Sequence, residues 1–368
     1  MSTEAFTGLP GAVVGDGHDA GVPAHYGNPV AEQKRLDQGS AVVLLSRGVL
    51  TVSGPDRLSW LDSLTSQRLT TLQAGDSTET LLLDPHGHIE HSLRVVDDGE
   101  TAWIVTESSS AEPLTAFLNR MRFMLRVEVA DRSADYAVIG SVGDSLVPDA
   151  VAVWRDSWSE VAAGGVSYAS ERGHPGAQWA WSESILPVAT LPELADRVRA
   201  GQLAVAGTIA SEALRIAVWR PRHGIDTDER SIPHELDWLR SAVHLAKGCY
   251  RGQETVAKVH NLGHPPRRLV LLDLDGSDGV LPPSGSVVYA ERRGEQTEVG
   301  RVTSSANHFE RGPIALAVIK RTVPADAPLT VRSEQLDIAA AQEVIVPVDA
   351  GRTVGTIPRL PRVGSIRS

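Results

Sequence analysis

One octapeptide in the sequence combines a nucleophile with charged and conformationally permissive neighbours. It reads Lys247-Gly248-Cys249-Tyr250-Arg251-Gly252-Gln253-Glu254. Nearby cations such as Lys247 and Arg251 favour the thiolate, which is the form of cysteine that attacks electrophiles and binds metals. The glycines indicate backbone positions that have no room for a side chain or that have positive φ. The octapeptide therefore predicts a functional thiol at Cys249; the alternative is a buried, inert cysteine.

Cys249 is the only cysteine in a chain of 368 residues. A single thiol forms no internal disulfide. It also cannot hold an iron–sulfur cluster alone, because such clusters usually take four cysteines. We therefore expect no disulfide framework and no self-contained cluster. Any thiol exchange or cluster chemistry has to involve another molecule.

Charge and hydropathy exclude further classes of protein. The net charge of -11 and a pI near 5.6 argue against broad nucleic-acid binding. The N-terminus has neither a basic start nor an apolar run, so we predict no signal peptide. No stretch reaches about 18 apolar residues, so we predict no membrane-spanning helix. With a single cysteine, these features predict a reducing, cytoplasmic location.

Several elements must position the octapeptide. A helix at about 253–261 follows it, so Cys249 would lie just ahead of a positive helix end. A hairpin with strands at 81–83 and 89–96 turns at Asp84-Pro85-His86-Gly87. A third strand at 101–106 completes a meander. We predict further helices that start at Ser53–Asp56 and Leu191 and that cover 113–121 and 208–219, whereas residues 141–180 have no clear pattern.

The pattern changes after Pro265-Pro266. Short strands separated by turns are predicted at 268–274, 286–291, 297–304, 313–320 and 328–332. Their even spacing is typical of a small β-barrel. The composition of the first residues predicts a loose N-terminus, and residues 351–368 carry four arginines and no acid, which predicts a flexible basic tail.

A second polar cluster lies on the hairpin, where His86, His88 and His91 stand close to Glu90. Two histidines and a carboxylate can bind a metal ion. However, His86 and His88 lie around a turn, and strand alternation places His91 on the face opposite Glu90. We therefore predict no metal site here. The chain also has no phosphate-binding or dinucleotide-binding glycine motif.

The octapeptide matches the signature K-G-C-Y-x-G-Q-E of the YgfZ family, folate-binding-type paralogues of the glycine-cleavage aminomethyltransferase, or T-protein. Four further segments fall in the order expected for that family, and together they cover about residues 40–335. They are Val52–Arg57, Leu81–His91, Ser231–Glu235 and Gly300–Ser304.

The resemblance implies an α+β, T-protein-like fold. It consists of two intertwined α/β subdomains and a C-terminal β-barrel around a central cavity where tetrahydrofolate can sit. On this basis we expect four parts. They are a flexible N-terminus at 1–25, a T-protein-like region of two interlocked subdomains at 26–265, the barrel at 266–350 and the basic tail at 351–368.

The resemblance also implies a role in the assembly or repair of iron–sulfur enzymes, including those that modify tRNA. Its partners would be such enzymes or the cluster assembly machinery, together with a small-molecule folate. Cys249 carries over as the working residue and Lys247 as its catalytic neighbour. The other motif members are Gly248, Tyr250, Gly252, Gln253 and Glu254.

Two departures from the family pattern bear on activity. T-protein-like sequences usually carry two adjacent aspartates on the hairpin, one of them catalytic, whereas this chain has Glu90-His91. The family commonly reads R-I-E-A-G-x-P, and its glutamate anchors the pterin; this chain has Ala217 at that position. The nearest acid on the same helix, Glu212, is offset by about 500° and lies on a different face.

The resemblance and the residue types still give a set of candidate folate contacts. Trp219 could stack on a pterin, and arginines in the following loop could pair with a polyglutamate tail. The His234-Glu235 pair could line the central cavity. The candidates are Arg215, Glu212, Trp219, Arg222, His234 and Glu235.

Three functions stay open at this point. The first is an accessory protein for iron–sulfur clusters that acts through Cys249. The second is a folate-dependent aminomethyl or one-carbon transferase, against which the two departures argue. The third is a binding module or scaffold that works without chemistry at the thiol.

Overall fold

The structure is a computed structural model that describes residues 3–354 except 171, 278, 293, 334 and 335. Its helices are α1 Glu4–Thr7, α2 Pro29–Asp37, α3 Arg57–Leu64, α4 Ala111–Met121, α5 Leu191–Arg199, α6 Thr208–Ala217, α7 Leu239–Ala242 and α8 Gln253–Leu262. Its strands are β1 Val13–Val14, β2 Pro23–His25, β3 Ala41–Leu45, β4 Arg47–Ser53, β5 Ser77–Leu83, β6 Ile89–Asp97, β7 Thr101–Glu107, β8 Glu128–Asp131, β9 Tyr136–Val142, β10 Ala152–Arg155, β11 Trp181–Pro187, β12 Ala204–Ala206, β13 Arg267–Leu274, β14 Val287–Arg292, β15 Glu295–His308, β16 Gly312–Lys320, β17 Leu329–Ser333 and β18 Leu336–Val344.

Two five-stranded sheets form the first two layers. Sheet I has the order β10-β11-β9-β3-β12, and sheet II has the order β5-β6-β7-β4-β8. The chain passes from sheet I to sheet II at Ser46, between β3 and β4. All of sheet II lies within residues 47–131, and the chain then returns to sheet I at β9. Sheet II is thus an insertion between two neighbouring strands of sheet I, which interlocks the two units.

Helices cover the sheets through apolar faces of the expected period. In sheet II, α3 and α4 place Leu61 and Leu114 in one buried cluster with Leu93 and Val95 of β6. Asp56 is the N-cap residue of α3, at the turn predicted from Ser53–Asp56. The helices predicted near 113–121, 208–219 and 253–261 are all present. The one predicted from Leu191 is closed by Gly201 at φ +69°.

The C-terminal strands form a closed barrel with the order β13-β16-β15-β14-β17-β18. The five strands predicted after Pro266 are confirmed, and β18 is the sixth. It was not predicted because its sequence, LDIAAAQEV, is rich in residues that are depleted in strands. Pairing with both β13 and β17 stabilises it, since closing the barrel leaves no unpaired edge.

The N-terminal segment, expected to be loose, packs against sheet I instead. Phe6 and Leu9 are buried in a cluster with Leu186 and Leu194, and β1 pairs with β2. Small and polar residues surround these apolar side chains in the sequence, so composition alone concealed them. The basic tail predicted at 351–368 falls mostly on residues 355–368, which lie outside the described residues.

No helix in the described part of the chain has both the length and the apolar character needed to cross a bilayer.

The packing of the N-terminal segment can be tested with Phe6→Ala. Phe6 is fully buried, so the substitution is expected to lower the free energy of unfolding by about 3–5 kcal/mol. Val14→Ala serves as the control, because Val14 is half exposed in the same segment and its loss should change stability by less than about 0.5 kcal/mol. Urea unfolding measures both. Equal, small effects would mean that the segment does not contribute to the core.

Candidate functional site

The motif loop, residues 247–252, is fixed by the ammonium group of Lys247. Its Nζ atom donates to the backbone carbonyls of Asp62, Thr65 and Gln67 at 2.5, 2.8 and 2.8 Å. The Asp62 carboxylate lies 3.3 Å away. An ammonium group has three N–H donors, and all three are used here. Lys247 therefore has no donor left for the thiol, and its expected catalytic role becomes an anchoring role.

Cys249 lies between two buried anchors. Lys247 and Tyr250 are buried, whereas Gly248 and Cys249 are exposed. The Lys247 Nζ atom lies 5.4 Å from the centre of the Tyr250 ring. Gln253 closes the loop, because its side-chain amide donates to the carbonyl of Lys247 at 3.2 Å. The inert, buried alternative for Cys249 is thereby wrong: the thiol faces solvent on a loop held at both sides.

Gly252 is needed where the motif loop meets the hairpin turn. Its φ is +83°, and a Cβ atom there would lie 2.7 Å from the carbonyl oxygen of Asp84. On the other side of the contact, a Cβ on Gly87 would lie 2.9 Å from the Cβ of Thr255. The expectation for Gly252 is confirmed. The same expectation is wrong for Gly248, which has no positive φ and where an added Cβ atom would meet open space.

Arg251 connects the motif loop to the hairpin by charge. Its guanidinium donates to both carboxylate oxygens of Glu90 at 2.7 and 3.2 Å, and it lies over the ring of Phe117 at 5.6 Å. Such a bidentate pair is directional. Arg251 is therefore committed to Glu90 and is not the free cation beside Cys249 that the sequence indicated. Glu254, the last motif member, is exposed in the first turn of α8.

A β-bulge changes the orientation of the Glu90-His91 pair. Leu82 pairs with His91 and Leu83 with Ile89, so Glu90 is an extra residue on β6. Alternation breaks there, and Ile89 lies in one buried cluster with Leu83, whereas Leu93 and Val95 further along β6 belong to another. A bulge of this kind changes the direction in which the neighbouring side chains point. Contrary to the sequence-based expectation, Glu90 and His91 both line one cavity.

That cavity, cavity A, has a volume of about 650 Å³ and lies between the hairpin, α4 and the loop at 223–229. Burial and the neighbouring His223 lower the pKa of His91 to about 4, so the ring is neutral at pH 7. His88 pairs instead with Asp84 at 2.9 Å. Among the described residues, no three His, Cys, Asp or Glu side chains are grouped so that they could hold a metal ion.

Two of the predicted folate contacts, Arg215 and Arg222, are committed to buried ion pairs. Arg222 donates to Asp19, Glu107 and Glu212 at 2.8 to 3.0 Å. Arg215 donates to Glu212 and to Asp226, the latter at 2.6 Å. Burial alone would raise the pKa of Glu212, but these two arginines outweigh it and lower the pKa to about 2. Neither arginine offers a free charge to a polyglutamate tail.

The other predicted contacts lie in the core. Trp219 is buried edge-on against His174 at 5.0 Å, with φ at +63°. His234 is fully buried, and its Nε2–H donates to the carbonyl of Val256 at 3.0 Å. Glu235 accepts hydrogen bonds from Arg267 at 2.8 and 2.9 Å. None of these three residues lines cavity A.

The space between the ion pairs and the tryptophans Trp154, Trp179 and Trp181 is only about 40 Å³. That is room for a few water molecules, not for a pterin ring. Ala217, at the position where the resemblance implies a pterin-anchoring glutamate, is buried and carries no carboxylate. The six candidates therefore do not form one folate site. Glu212 alone also reaches a larger space, cavity B, of about 790 Å³, between α2, α6 and β15.

Several site residues were missed from the sequence. The carbonyls that hold Lys247 belong to the end of α3 and to the residues just after it, and no side-chain pattern marks backbone acceptors. Phe117 was assigned to a helix, but nothing in the sequence places it under Arg251. Arg47, Arg94 and Glu107 take part in buried ion pairs. In the sequence they look like ordinary charges on the surface of a strand, because the sequence does not show which sheet packs over them.

Comparison with known proteins adds relatives at low identity, and no family profile matches the chain. It is 24% identical over 288 residues to a mitochondrial iron–sulfur cluster assembly factor, an IBA57 homologue, of Chaetomium globosum, covering 70% of this chain and 61% of that protein. It is 26% identical over 259 residues to an aminomethyltransferase of Synechococcus sp., covering 67% and 71%. The chain thus spans about three fifths of the length of the assembly factor.

A solved structure establishes the architecture. Glycine cleavage system aminomethyltransferase T from Bartonella henselae superimposes with a TM-score of 0.74, over 96% of this chain and 98% of that one, at 17% identity. The chain has the aminomethyltransferase fold. The expected combination of two α/β units and a C-terminal barrel is confirmed.

The anchoring role of Lys247 can be tested with Lys247→Met. The substitution leaves three buried carbonyls without donors, so the free energy of unfolding should fall by at least about 2 kcal/mol. Cys249 should also react with iodoacetamide at a changed rate, because the loop is no longer fixed. Glu254→Gln is the control in the same motif, and it should leave both measurements unchanged. A Lys247→Met protein that unfolds like the wild type would contradict this role.

The ion pairs of Glu212 predict a pH dependence. Its folded-state pKa, about 2, lies below the ordinary value of about 4.3. The carboxylate therefore stabilises the protein above about pH 5, and this contribution disappears as the pH falls toward 2. Glu212→Gln should lower stability at pH 7 by about 1–3 kcal/mol, with a difference from wild type that shrinks between pH 5 and 2. A pH-independent difference in urea unfolding would show that the charge is not responsible.

Proposed function

We propose that this protein is an accessory factor for the assembly or repair of iron–sulfur clusters in client enzymes, and that it acts through Cys249. The observation that carries the proposal is a solvent-exposed, sole thiol on a loop fixed by Lys247 and Tyr250. A thiol that serves only packing would be buried. A thiol presented on a fixed loop suits contact with another macromolecule.

One thiol can act at a cluster as a single, temporary ligand. The Cys249 thiol would release its proton to solvent, and the thiolate would donate an electron pair to an iron atom whose other ligands come from the partner. No oxidation or reduction is needed for this step. Because a cluster usually takes four cysteines, Cys249 alone holds it too weakly to keep it, which is appropriate for a handover.

Two sequence resemblances support the proposal. The octapeptide follows the YgfZ signature at seven specified positions, and the relative from Chaetomium globosum is named as an iron–sulfur cluster assembly factor. We extend the proposal to clients that include tRNA-modifying enzymes, and to a reducing, cytoplasm-like compartment in which the thiol stays free.

Folate binding and one-carbon transfer remain predictions of the resemblance to aminomethyltransferases. The carboxylate of Glu90 is neutralised by Arg251, and the pterin-anchoring acid is replaced by Ala217. The residues present do not fit tetrahydrofolate at the expected position, so no step of the proposed function passes through it. Cavities A and B both have the volume of a small-molecule site, and either could take a folate.

The role of Cys249 is tested in cells that lack the protein. The activities of a panel of iron–sulfur enzymes are measured after rescue with wild type, Cys249→Ala or Glu254→Gln. We expect wild type and Glu254→Gln to restore activity and Cys249→Ala to restore none, while thermal unfolding of the purified Cys249→Ala protein stays within about 0.5 kcal/mol of wild type because the side chain is exposed.

Full rescue by Cys249→Ala would overturn the proposal and favour a scaffold or a transferase. If the panel keeps its activity in cells that lack the protein, the cluster role itself is wrong.

A further inference from the structure

An exposed apolar tip follows α4. Phe123, Met124 and Leu125 are consecutive, and they are 83%, 97% and 44% exposed. The first two are the most exposed large apolar side chains in the described part of the chain. Single exposed apolar residues are ordinary, but a contiguous group marks an interaction surface.

Arginines surround the apolar tip. Arg120, Arg122 and Arg126 are all exposed, and residues 113–127 contain no acid. The chain as a whole carries a net charge of -11, so this basic patch is opposite in sign to the rest of the molecule. Phe, Met and Arg are the residue types enriched in protein interfaces. The charge pattern calls for a partner surface that is acidic around an apolar pocket.

The tip is held in place and is not a free loop. Arg126 donates through its backbone N–H and its side chain to the carboxylate of Asp56 at 2.7 to 3.1 Å. A Cβ atom on Gly54 would lie 2.2 Å from the carbonyl oxygen of Arg126, so the two backbones touch. Phe123 has φ at +45°. A surface that is already ordered loses less conformational entropy on binding.

The tip and the thiol are attached to the same elements. Asp56, which holds Arg126, caps the start of α3, whereas Lys247 binds carbonyls at the end of α3. An eight-residue helix is about 12 Å long. On α4, Phe117 lies under Arg251 of the motif loop, and the tip begins six residues later, about 9 Å along a helix axis. The tip and the motif loop are therefore held relative to each other through α3 and α4.

We propose that residues 120–126 form the docking surface for the protein that exchanges a cluster with Cys249, and that this partner presents an apolar pocket bordered by Asp and Glu. The inference rests on the proposed function for the identity of the partner, but not for the existence of the surface. Docking at the tip would orient the partner so that its cluster meets the thiol.

Two other occupants are disfavoured. Lipid-binding basic patches usually have four to eight Lys or Arg, whereas this one has three, of which Arg126 is already paired with Asp56. A chain with net charge -11 is also repelled by an anionic bilayer. A symmetric dimer through this surface would place two Arg120–Arg126 patches next to each other, and their positive charges would repel.

The first experiment is photo-crosslinking in cells of the source organism. A benzophenone amino acid replaces Met124 in the full chain, or Leu262 as the control, since Leu262 is 59% exposed at the end of α8. We expect position 124 to crosslink to one protein that binds iron–sulfur clusters and is acidic at the crosslinked surface. The adduct should fall at least about tenfold with Arg120→Glu and Arg122→Glu together, and position 262 should not form it.

Crosslinks from position 124 only to lipid, only to another copy of this chain, or to nothing would overturn the docking surface. So would an adduct that survives reversal of both arginines. This readout does not depend on Cys249. An arginine-dependent adduct combined with full rescue by Cys249→Ala would refute the proposed function and keep the docking surface.

The second experiment measures function. Phe123→Ser with Met124→Ser should lower rescue of the iron–sulfur enzymes at least about tenfold, because both side chains would be interface anchors. Leu262→Ser should not lower it. Alkylation of Cys249 by iodoacetamide and thermal unfolding should match wild type in both proteins. Unchanged rescue by the Phe123→Ser, Met124→Ser protein would overturn the inference.

Discussion

The architecture depends on one buried network of charges that joins all three units of the fold. Arg222 binds acids from the N-terminal segment, from sheet II and from α6. Asp226, bound by Arg215, accepts hydrogen bonds from Thr303 and Ser304 of the barrel. Taking such charges out of water is costly, and only near-complete pairing offsets the cost. Each unit supplies part of that pairing, so the three units specify one another's positions.

The same network decides what the interior can hold. Arginines and tryptophans surround a space of only about 40 Å³ beside Arg215 and Glu212, two of the predicted folate contacts. At this point the interior is filled by the chain's own side chains. The reactive groups that solvent can reach lie further out, in cavity A and on the exposed motif loop.

Local signals in the sequence were sufficient for much of the fold. Five barrel strands, the helix after the octapeptide and the positive φ of Gly252 follow from alternation, turn residues and glycine sterics. Strand β18 did not, because its pairing with two neighbours outweighs the poor strand propensity of its alanines. The sequence at 141–180 has no clear pattern, because its structure depends on tryptophans such as Trp154 and Trp158, which distant parts of the chain bury. The sequence predicted a reactive thiol at Cys249, and the structure places that thiol at the surface. The contacts of Lys247 could not be predicted, since backbone carbonyls leave no trace in a sequence. The bulge at Glu90 gives an orientation that regular alternation does not predict.

The position of Cys249 as a sole, exposed thiol has a consequence for the protein under oxidising conditions. A disulfide between two copies uses the only sulfur that each one has, so covalent association stops at a pair and cannot propagate into larger species. Under the proposed function, such a pair would be inactive, because the bond occupies the sulfur through which each copy acts. Oxidant would then switch the protein off reversibly, and a reductant would restore the free thiol.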